Sequence, residues 1–343
     1  MTSAVVGVLL MAYGSSPSMD DEAIHAYLRH ILQFYRRTDP DPEAVAHLKA
    51  RYQAIGGSPL YSITERLAAG LQHALDRASP GNFHVYWAMK HSPPFIEDVV
   101  PQIARDGFRQ AVGVALAPFR SRLSTDGYYR VVQEANQGLP NPMTWAFVDD
   151  WHLHPWFLNL WQARIEDARR GLPETALVVF TNHSLPERIR RWDDPYPVQF
   201  EATARALAER CRLTHWTAAY QSAGGGAEAW LGPDLVDILR TYRENGGTHA
   251  LVAPIGFLMD HLEVLYDIDV EAQAEARAMG LHLVRTRMPN DDPRLIDMLA
   301  DVVLKAARQI GGWVDRGQGV GGSERVQENL EPVGMGGDGC PKA

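Results

Sequence analysis

Short runs of apolar residues recur along this sequence, and each run is followed by a longer segment whose apolar positions have helical spacing. The runs are apolar on both faces, a pattern typical of parallel strands that are covered by helices on both sides of a sheet. We therefore predict an α/β protein with eight parallel strands. The predicted strands are residues 5–11, 83–88, 111–117, 144–148, 176–180, 215–219, 250–254 and 281–284.

The eight predicted strands divide into four and four around residues 149–155. This division predicts two Rossmann-like, doubly wound domains, the first over residues 1–150 and the second over residues 151–310. Ligands of such folds bind beyond the carboxyl ends of the strands, so the residues that follow each strand are the candidates for function. Residues 311–343 contain ten glycines and few large apolar residues, and we predict a disordered tail there.

The composition narrows the class of protein. The chain has 343 residues, of which 45% are apolar and 22% charged, as in globular proteins. Its formal net charge of -9 disfavours nucleic-acid binding, because an acidic chain repels the phosphate backbone. The two cysteines, Cys211 and Cys340, are too few for an iron–sulfur cluster and fit a reducing compartment.

No apolar run approaches the ~20 residues that cross a bilayer, so we expect a cytoplasmic protein without stable membrane insertion.

The segment after the first strand excludes two common nucleotide sites. Residues 13–16 read Tyr-Gly-Ser-Ser and contain neither G-x-G-x-x-G nor G-x-x-x-x-G-K. Those glycines let backbone N–H groups approach phosphates, so their absence argues against a nicotinamide dehydrogenase and an NTPase. The glycine triplet at residues 224–226 is too weak a signal to replace them, and we predict a plain loop there.

Histidines follow the fifth strand and the seam between the two halves. His183 lies just past the predicted strand at residues 176–180, where it points toward the crevice between the domains. On position alone a hydrogen-bonded loop histidine is the simpler interpretation, and a catalytic or metal-binding histidine is the alternative. His152 and His154 form an H-x-H pair without a third ligand, so we assign them to the connection between domains rather than to zinc.

An acidic ladder follows the seventh strand. Glu263, Asp267 and Glu271 fall at i, i+4 and i+8, which places them on one face of a helix where like charges repel. The ladder is either a solvated acidic face or a path for a hard or borderline divalent metal. His261 is two residues from Glu263 and diverges from it on a helix, so His183 is the better candidate partner for Glu263.

Several stretches together resemble one known family. The most specific are residues 11–14 (MAYG), 181–186 (TNHSLP) and 256–267 (GFLMDHLEVLYD), and further matches are residues 51–60, 89–91, 94–98, 220–222 and 230–233. This ordered set resembles the ferrochelatases from about residue 7 to about residue 308. The length of the segment that ends in Glu263-Val264-Leu265-Tyr266-Asp267 makes a chance match implausible.

The resemblance implies a chelatase-like fold and a lyase activity. It implies two Rossmann-like domains that flank a cleft, where a porphyrin binds and Fe2+ is inserted as a substrate. His183 and Glu263 match the catalytic metal-site pair, and Asp267 and Glu271 continue it as an outer acidic path where Mg2+ could bind. The chain most resembles the compact bacterial branch that converts coproporphyrin III to iron coproporphyrin III in heme biosynthesis. The alternatives are a protoporphyrin IX ferrochelatase and a non-catalytic porphyrin or heme carrier on the same fold.

The same resemblance assigns the porphyrin site. Tyr13 matches the residue that faces iron from the side opposite the histidine, and Arg51, Tyr52, Ser58 and Tyr128 match positions that contact the macrocycle or its propionates. Four propionates on an acidic protein need such local donors. We expect a monomer whose partners are the porphyrin and, transiently, another enzyme of the heme pathway.

The sequence departs from the family pattern in three places. The turn at residues 56–59 is one residue shorter than in many relatives, which affects Ser58. Near residue 31 the arginine of relatives has no clear counterpart, and the candidates are Arg29, Arg36 and Arg37. Residues 118–122 contain arginines where apolar or hydroxyl residues are expected.

Overall fold

The structure is a computed structural model, and it describes residues 5–36, 38–224 and 228–310. The predicted disordered tail, most of the predicted glycine loop and the candidate Arg37 lie outside the described residues. The strands are β1 Val6–Ala12, β2 Phe83–Met89, β3 Gln110–Ala115, β4 Thr144–Val148, β5 Leu177–His183, β6 Trp216–Gln221, β7 His249–Ala253 and β8 His282–Arg285. All eight predicted strands are therefore confirmed.

These strands form two parallel sheets of four. The strand orders are β2-β1-β3-β4 and β6-β5-β7-β8, so the second sheet repeats the topology of the first. In each sheet the second strand along the chain lies on one side of the first strand, and the third lies on the other side. Ligands of open α/β sheets bind at this switch point. The fold class predicted from the sequence, two doubly wound α/β halves, is confirmed.

Helices cover both faces of the sheets. They are α1 Asp21–Arg36, α2 Pro42–Ala54, α3 Leu60–Ala78, α4 Ile96–Arg105, α5 Thr125–Gln137, α6 Pro155–Arg169, α7 Tyr196–Arg210, α8 Leu235–Glu244, α9 Leu262–Leu265, α10 Gln273–Ala278 and α11 Pro293–Gln309. Side-chain caps start several of them: Asp41, Asp234 and Asp292 each accept a hydrogen bond from a first-turn N–H of α2, α8 and α11. His154 caps α6 in the same way, so its ring belongs to the connection between the sheets.

One hydrophobic core runs through both halves. All seven residues of β1 are buried, which explains why this strand reads as a continuous apolar run. The C-terminal helix α11 packs on α3, β3 and β4 of the first half and on α6 of the second. The two halves are thus joined by a helix from the end of the described chain, and the boundary at residue 150 remains a prediction.

The segment after β7 is irregular. A four-residue helix, α9, is followed by a π-helix over Asp267–Ala272 and then by α10. π-Helical turns are uncommon and occur often at functional sites. Across the ranges that the structure describes, no helix is both long and apolar enough to cross a membrane.

Candidate active site

A cleft of about 640 Å³ opens at the carboxyl ends of the strands of both sheets, within the ~300–1,000 Å³ usual for small-molecule sites. Tyr13 enters it directly after β1, His183 from the end of β5, and Glu263 from the segment after β7. These are the strands beside the two switch points. The rule that places ligands there therefore brings together three of the residues singled out in the sequence.

The backbone holds His183 firmly at the rim of the second sheet. β5 continues to His183, which pairs with Gln221 of β6, so His183 is the last residue of a strand rather than a loop residue as predicted. Its Nδ1–H donates to the Ser184 carbonyl. Its backbone N–H donates to Asn182 Oδ1 at 2.9 Å. The ring orientation is thereby fixed, and Nε2 is the atom presented to the cleft.

A glycine allows this arrangement. A Cβ at Gly256 would lie 2.0 Å from Asn182 Oδ1 and 2.8 Å from Asn182 Cα. The same Asn182 oxygen is 2.8 Å from the Tyr196 hydroxyl. Only a residue without a side chain lets the loop after β7 approach the strand end that carries His183.

His183 and Glu263 form an ion pair in the cleft. His183 Nε2 lies 3.3 Å from Glu263 Oε1. Burial alone would lower the pKa of His183, but the Glu263 carboxylate and the Ser184 carbonyl outweigh it and raise that pKa to about 9. Burial acts in the opposite sense on Glu263, and the His183 charge nevertheless holds the pKa of that carboxyl well below its usual range. At neutral pH the pair is therefore imidazolium and carboxylate.

His261 is a second partner of Glu263, contrary to the prediction that it diverges. His261 Nε2 lies 3.4 Å from Glu263 Oε2, and His261 Nδ1 donates to the Met259 carbonyl at 2.8 Å. The reason is that His261 has extended backbone, φ -159 and ψ -176, and precedes α9 instead of lying in it. Helical spacing does not apply to a residue outside the helix.

The acidic ladder is not carried by one continuous helix. The π-helix at Asp267–Ala272 changes the angular spacing after Glu263, and Asp267 is 8% exposed whereas Glu271 is on the surface. Asp267 pairs with Arg51 and accepts from the Ser222 hydroxyl. Burial raises the pKa of Asp267 more than Arg51 lowers it. The roles of Asp267 and Glu271 as an outer path, and the Mg2+ beside them, remain predictions.

Arg51 and Ser58 lie beside the cleft rather than in its lining. The Arg51 guanidinium stacks on the Tyr266 ring, 4.7 Å from its centroid, while it pairs with Asp267. Ser58 Oγ accepts from the Leu60 N–H at 3.3 Å at the start of α3. Their predicted propionate contacts are untested.

Three tyrosines predicted for the porphyrin site line the cleft. Tyr13 is 38% exposed, and desolvation by the surrounding protein raises the pKa of its phenol well above 10. Burial does the same to Tyr128. The Tyr52 hydroxyl is 2.9 Å from Ser15 Oγ and accepts from the Ser16 N–H, so it braces the loop after β1.

The candidate arginines whose side chains are described form ion pairs with carboxylates of the protein. Arg29 pairs with Asp39 on the surface at 2.8 Å, and the side chain of Arg36 is not described. Arg120 is held 3.2 Å from both Asp126 and Asp149. The residues of α1 that do line the cleft are Tyr27, Ile31, Leu32 and Tyr35.

Sequence reasoning overlooked two groups in this site. Gln221 donates from Nε2 to the Glu263 carbonyl at 2.8 Å and accepts from the Thr181 hydroxyl at 2.8 Å, which joins β5 to the Glu263 segment. Lys90 lies directly after β2, buried behind Tyr35 and Tyr128. The signal for Lys90 in the sequence was its place directly after an apolar strand.

The pair lacks a third protein ligand. Over the described part of the chain, no cluster of three or more His, Cys, Asp or Glu side chains is arranged to hold a metal ion. The pair can supply one imidazole nitrogen and carboxylate oxygens, which suit a borderline divalent metal. Its geometry suits transient capture of a metal that passes to other ligands.

The charge state of the pair predicts pH-dependent metal binding. A metal must displace the Nε2 proton of His183, whose pKa is about 9, so raising the pH toward that value removes the competing proton. We expect the affinity for Zn2+, used as a redox-stable probe, to rise by up to about tenfold per pH unit between about pH 6.5 and about pH 8. Competition titration with a chelating dye measures it. A flat profile in the wild-type protein would contradict His183 as a ligand, and His183→Ala should remove the slope.

Comparisons with known proteins identify a family that matches most of this chain. The sequence model of the ferrochelatase family matches residues 5–307. A ferrochelatase of Herpetosiphon aurantiacus is 41% identical over 306 residues, covering 88% of this chain and 99% of the relative. The coproporphyrin III ferrochelatases of Geobacillus kaustophilus and Bacillus subtilis are both 39% identical, and cover 92% and 89% of this chain and 99% of each relative. Among solved structures, SirB from Bacillus subtilis with Fe3+ has a TM-score of 0.58 at 13% identity, and covers 91% of this chain and 99% of SirB. That similarity shows the fold alone.

Proposed function

Because the chain belongs to the ferrochelatase family, we propose that it inserts Fe2+ into coproporphyrin III to give iron coproporphyrin III in heme biosynthesis. The chelatase activity follows from the family, and the choice of coproporphyrin III is supported by relatives of that name at 39% identity over most of the chain. The observation that carries the proposal is the His183–Glu263 pair, which faces a cleft beside Tyr13.

Insertion requires two events that the pair is suited to combine. Fe2+ exchanges water for protein ligands and then for the four ring nitrogens, while two pyrrole N–H protons leave the ring. We assign the first metal contact to His183 Nε2, with Glu263 supplying the compensating negative charge at 3.3 Å. As the metal arrives, the proton on Nε2 passes to water, and the two side chains hold the metal in place of the ion pair. His183 takes up a proton again when the metal moves to the ring, so the cycle closes.

The pyrrole protons need an acceptor and an exit. Glu263 is ionised in the resting site, because the pKa of its carboxyl is held low by His183. Once the metal has displaced the His183 proton, this carboxylate is the nearest base in the described site. His261 Nε2, 3.4 Å from Glu263 Oε2, offers the next position for a proton. The net reaction then releases two protons for each Fe2+ inserted.

A specific observation favours the second candidate, a protoporphyrin IX ferrochelatase. Part of the α1 wall of the cleft is apolar, since Ile31 and Leu32 line it. A two-propionate ring with vinyl groups fits an apolar wall better than a ring with four propionates does. A non-catalytic carrier is less well supported, because binding a ring does not require a partly buried imidazolium–carboxylate pair.

The substrate choice is tested by steady-state kinetics with both rings. Anaerobic Fe2+ insertion into coproporphyrin III and into protoporphyrin IX is followed by loss of porphyrin fluorescence. We expect kcat/KM for coproporphyrin III to exceed that for protoporphyrin IX by at least about tenfold, because a site that pairs four propionates leaves donors unpaired when the ring carries only two. A ratio below one would leave the chemistry in place and transfer the assignment to protoporphyrin IX.

The cellular setting is also part of the proposal. The low cysteine content supports a reducing, cytoplasmic location. A monomeric state and a transient contact with another heme-pathway enzyme are carried over from the sequence as predictions. Gel filtration with light scattering tests the first of them directly.

A further inference from the structure

A buried lysine lies behind the wall of the cleft and has no part in the metal pair. Lys90 follows β2 directly, and only 2% of its surface is exposed. Gly127 at the start of α5 makes room for it, since a Cβ at that position would lie 2.7 Å from Lys90 Nζ. The ammonium is thus enclosed by protein, one side chain away from the cleft.

The surroundings of Lys90 are aromatic rather than acidic. Its Nζ lies 4.6 Å, 5.2 Å and 4.9 Å from the ring centroids of Phe34, Tyr35 and Tyr128. Its hydrogen bond goes to the Tyr35 hydroxyl at 3.0 Å. The charged group that acts on it is another cation, Arg130, and none of the ion pairs among the described residues gives Lys90 a carboxylate. Three ring faces and one hydroxyl are a weak substitute for a counter-ion.

A buried cation of this kind destabilises the protein unless an anion lies beside it. Burial lowers the pKa of Lys90 to about 7, which shows how poorly the empty site supports the charge. A lysine kept in this place only for packing could be replaced by an apolar residue of similar length. Its position behind two side chains that line the cleft, Tyr35 and Tyr128, points to an anion delivered by the occupant of the cleft.

We propose that Lys90 is the buried subsite for a carboxylate of the tetrapyrrole substrate, and that Tyr35 is the cover which the carboxylate displaces. Tyr35 is 45% exposed and lies in the last turn of α1, so its ring can move without opening the core. A carboxylate in place of the Tyr35 hydroxyl forms a charge-assisted hydrogen bond with Nζ, which is stronger than the neutral one it replaces.

The subsite distinguishes porphyrins by the positions of their carboxylates. This inference about substrate choice rests on the proposed function. Protoporphyrin IX carries both propionates on one edge, and that edge can remain in water. Coproporphyrin III carries propionates around the ring, so any orientation in the cleft brings at least one carboxylate inside. A carboxylate inside the protein needs a buried cation. Lys90 meets that need for the four-propionate ring alone.

The test compares two substitutions with opposite expected effects. Lys90→Met removes the charge and keeps the length, whereas Tyr35→Phe keeps the ring and removes the hydroxyl that accepts from Nζ and also contacts Tyr13. Lys305→Met serves as the matched control, because Lys305 is an exposed lysine of α11 paired with Asp301. Dissociation constants for coproporphyrin III and protoporphyrin IX are measured by fluorescence quenching, without iron.

We expect Lys90→Met to weaken coproporphyrin III binding by about tenfold or more and protoporphyrin IX binding by less than about twofold. Tyr35→Phe should tighten coproporphyrin III binding by a few-fold, and Lys305→Met should change neither constant. Equal weakening for both rings in Lys90→Met, or weakening in Tyr35→Phe, would assign Lys90 a structural role and overturn the proposal. Failure of the wild-type protein to bind either ring would instead overturn the proposed function.

Discussion

Replacing His183 with alanine is expected to lower the rate of iron insertion by about a thousandfold, while the dissociation constant for the porphyrin stays within about twofold of the wild-type value. The imidazole is fixed at the end of β5 with Nε2 presented to the cleft. The other imidazole beside Glu263, that of His261, lies 3.4 Å from the opposite carboxylate oxygen. Without His183, Fe2+ loses the nitrogen beside Glu263 Oε1. Single-turnover insertion under anaerobic conditions measures the loss.

The control for this variant is His282→Ala, which removes an exposed histidine at the edge of the second sheet. It should insert iron at the wild-type rate. Retention of even a tenth of the activity in His183→Ala, with the porphyrin still bound, would mean that another group delivers the metal.

Glu263→Gln is expected to reduce insertion by about a hundredfold through two linked effects. The amide cannot accept a pyrrole proton, and it no longer balances the charge of His183. Because the Glu263 carboxylate is what raises the pKa of His183 against burial, that pKa should fall in the variant. The imidazole is then neutral at physiological pH, so metal binding loses most of its pH dependence while turnover is lost.

The loss of turnover together with the loss of pH dependence distinguishes a chemical role of Glu263 from a structural one. A variant that merely loosened the site would lower stability and metal affinity together, without changing the slope of affinity against pH. Glu275→Gln is the matched control, since Glu275 is an exposed carboxylate of α10. An insertion rate in Glu263→Gln close to that of Glu275→Gln would contradict the assignment of Glu263 as a proton acceptor.

Much of the fold could be predicted from the sequence, because buried parallel strands leave a direct mark on it. β1 is buried along its whole length, and each such strand reads as an uninterrupted apolar run. The position of His183 could be predicted for the same reason, since a strand end in an open α/β sheet faces the ligand side. The expectation that His183 is the better partner for Glu263 agrees with the 3.3 Å contact between them, whereas the expectation that His261 diverges from Glu263 was wrong.

The remaining features depend on backbone detail that periodicity does not encode. His261 reaches Glu263 because its backbone is extended just before α9, and the ladder after Glu263 is broken by a π-helix. A repeat of four residues predicts one continuous helix in both places. The aromatic enclosure of Lys90 includes Tyr35, 55 positions before the lysine, and Tyr128, which lies well after it in the sequence. The residues next to Lys90 in the sequence therefore do not predict the enclosure.

The most direct test of the central claim is an anaerobic reaction of the wild-type protein with Fe2+ and coproporphyrin III, analysed by mass for the product formed. We expect iron coproporphyrin III to accumulate over many turnovers, at a rate far above that of the same mixture without protein. Coproporphyrin III that binds to the protein, with the expected change of its fluorescence, yet is recovered without iron would contradict the account and identify a carrier.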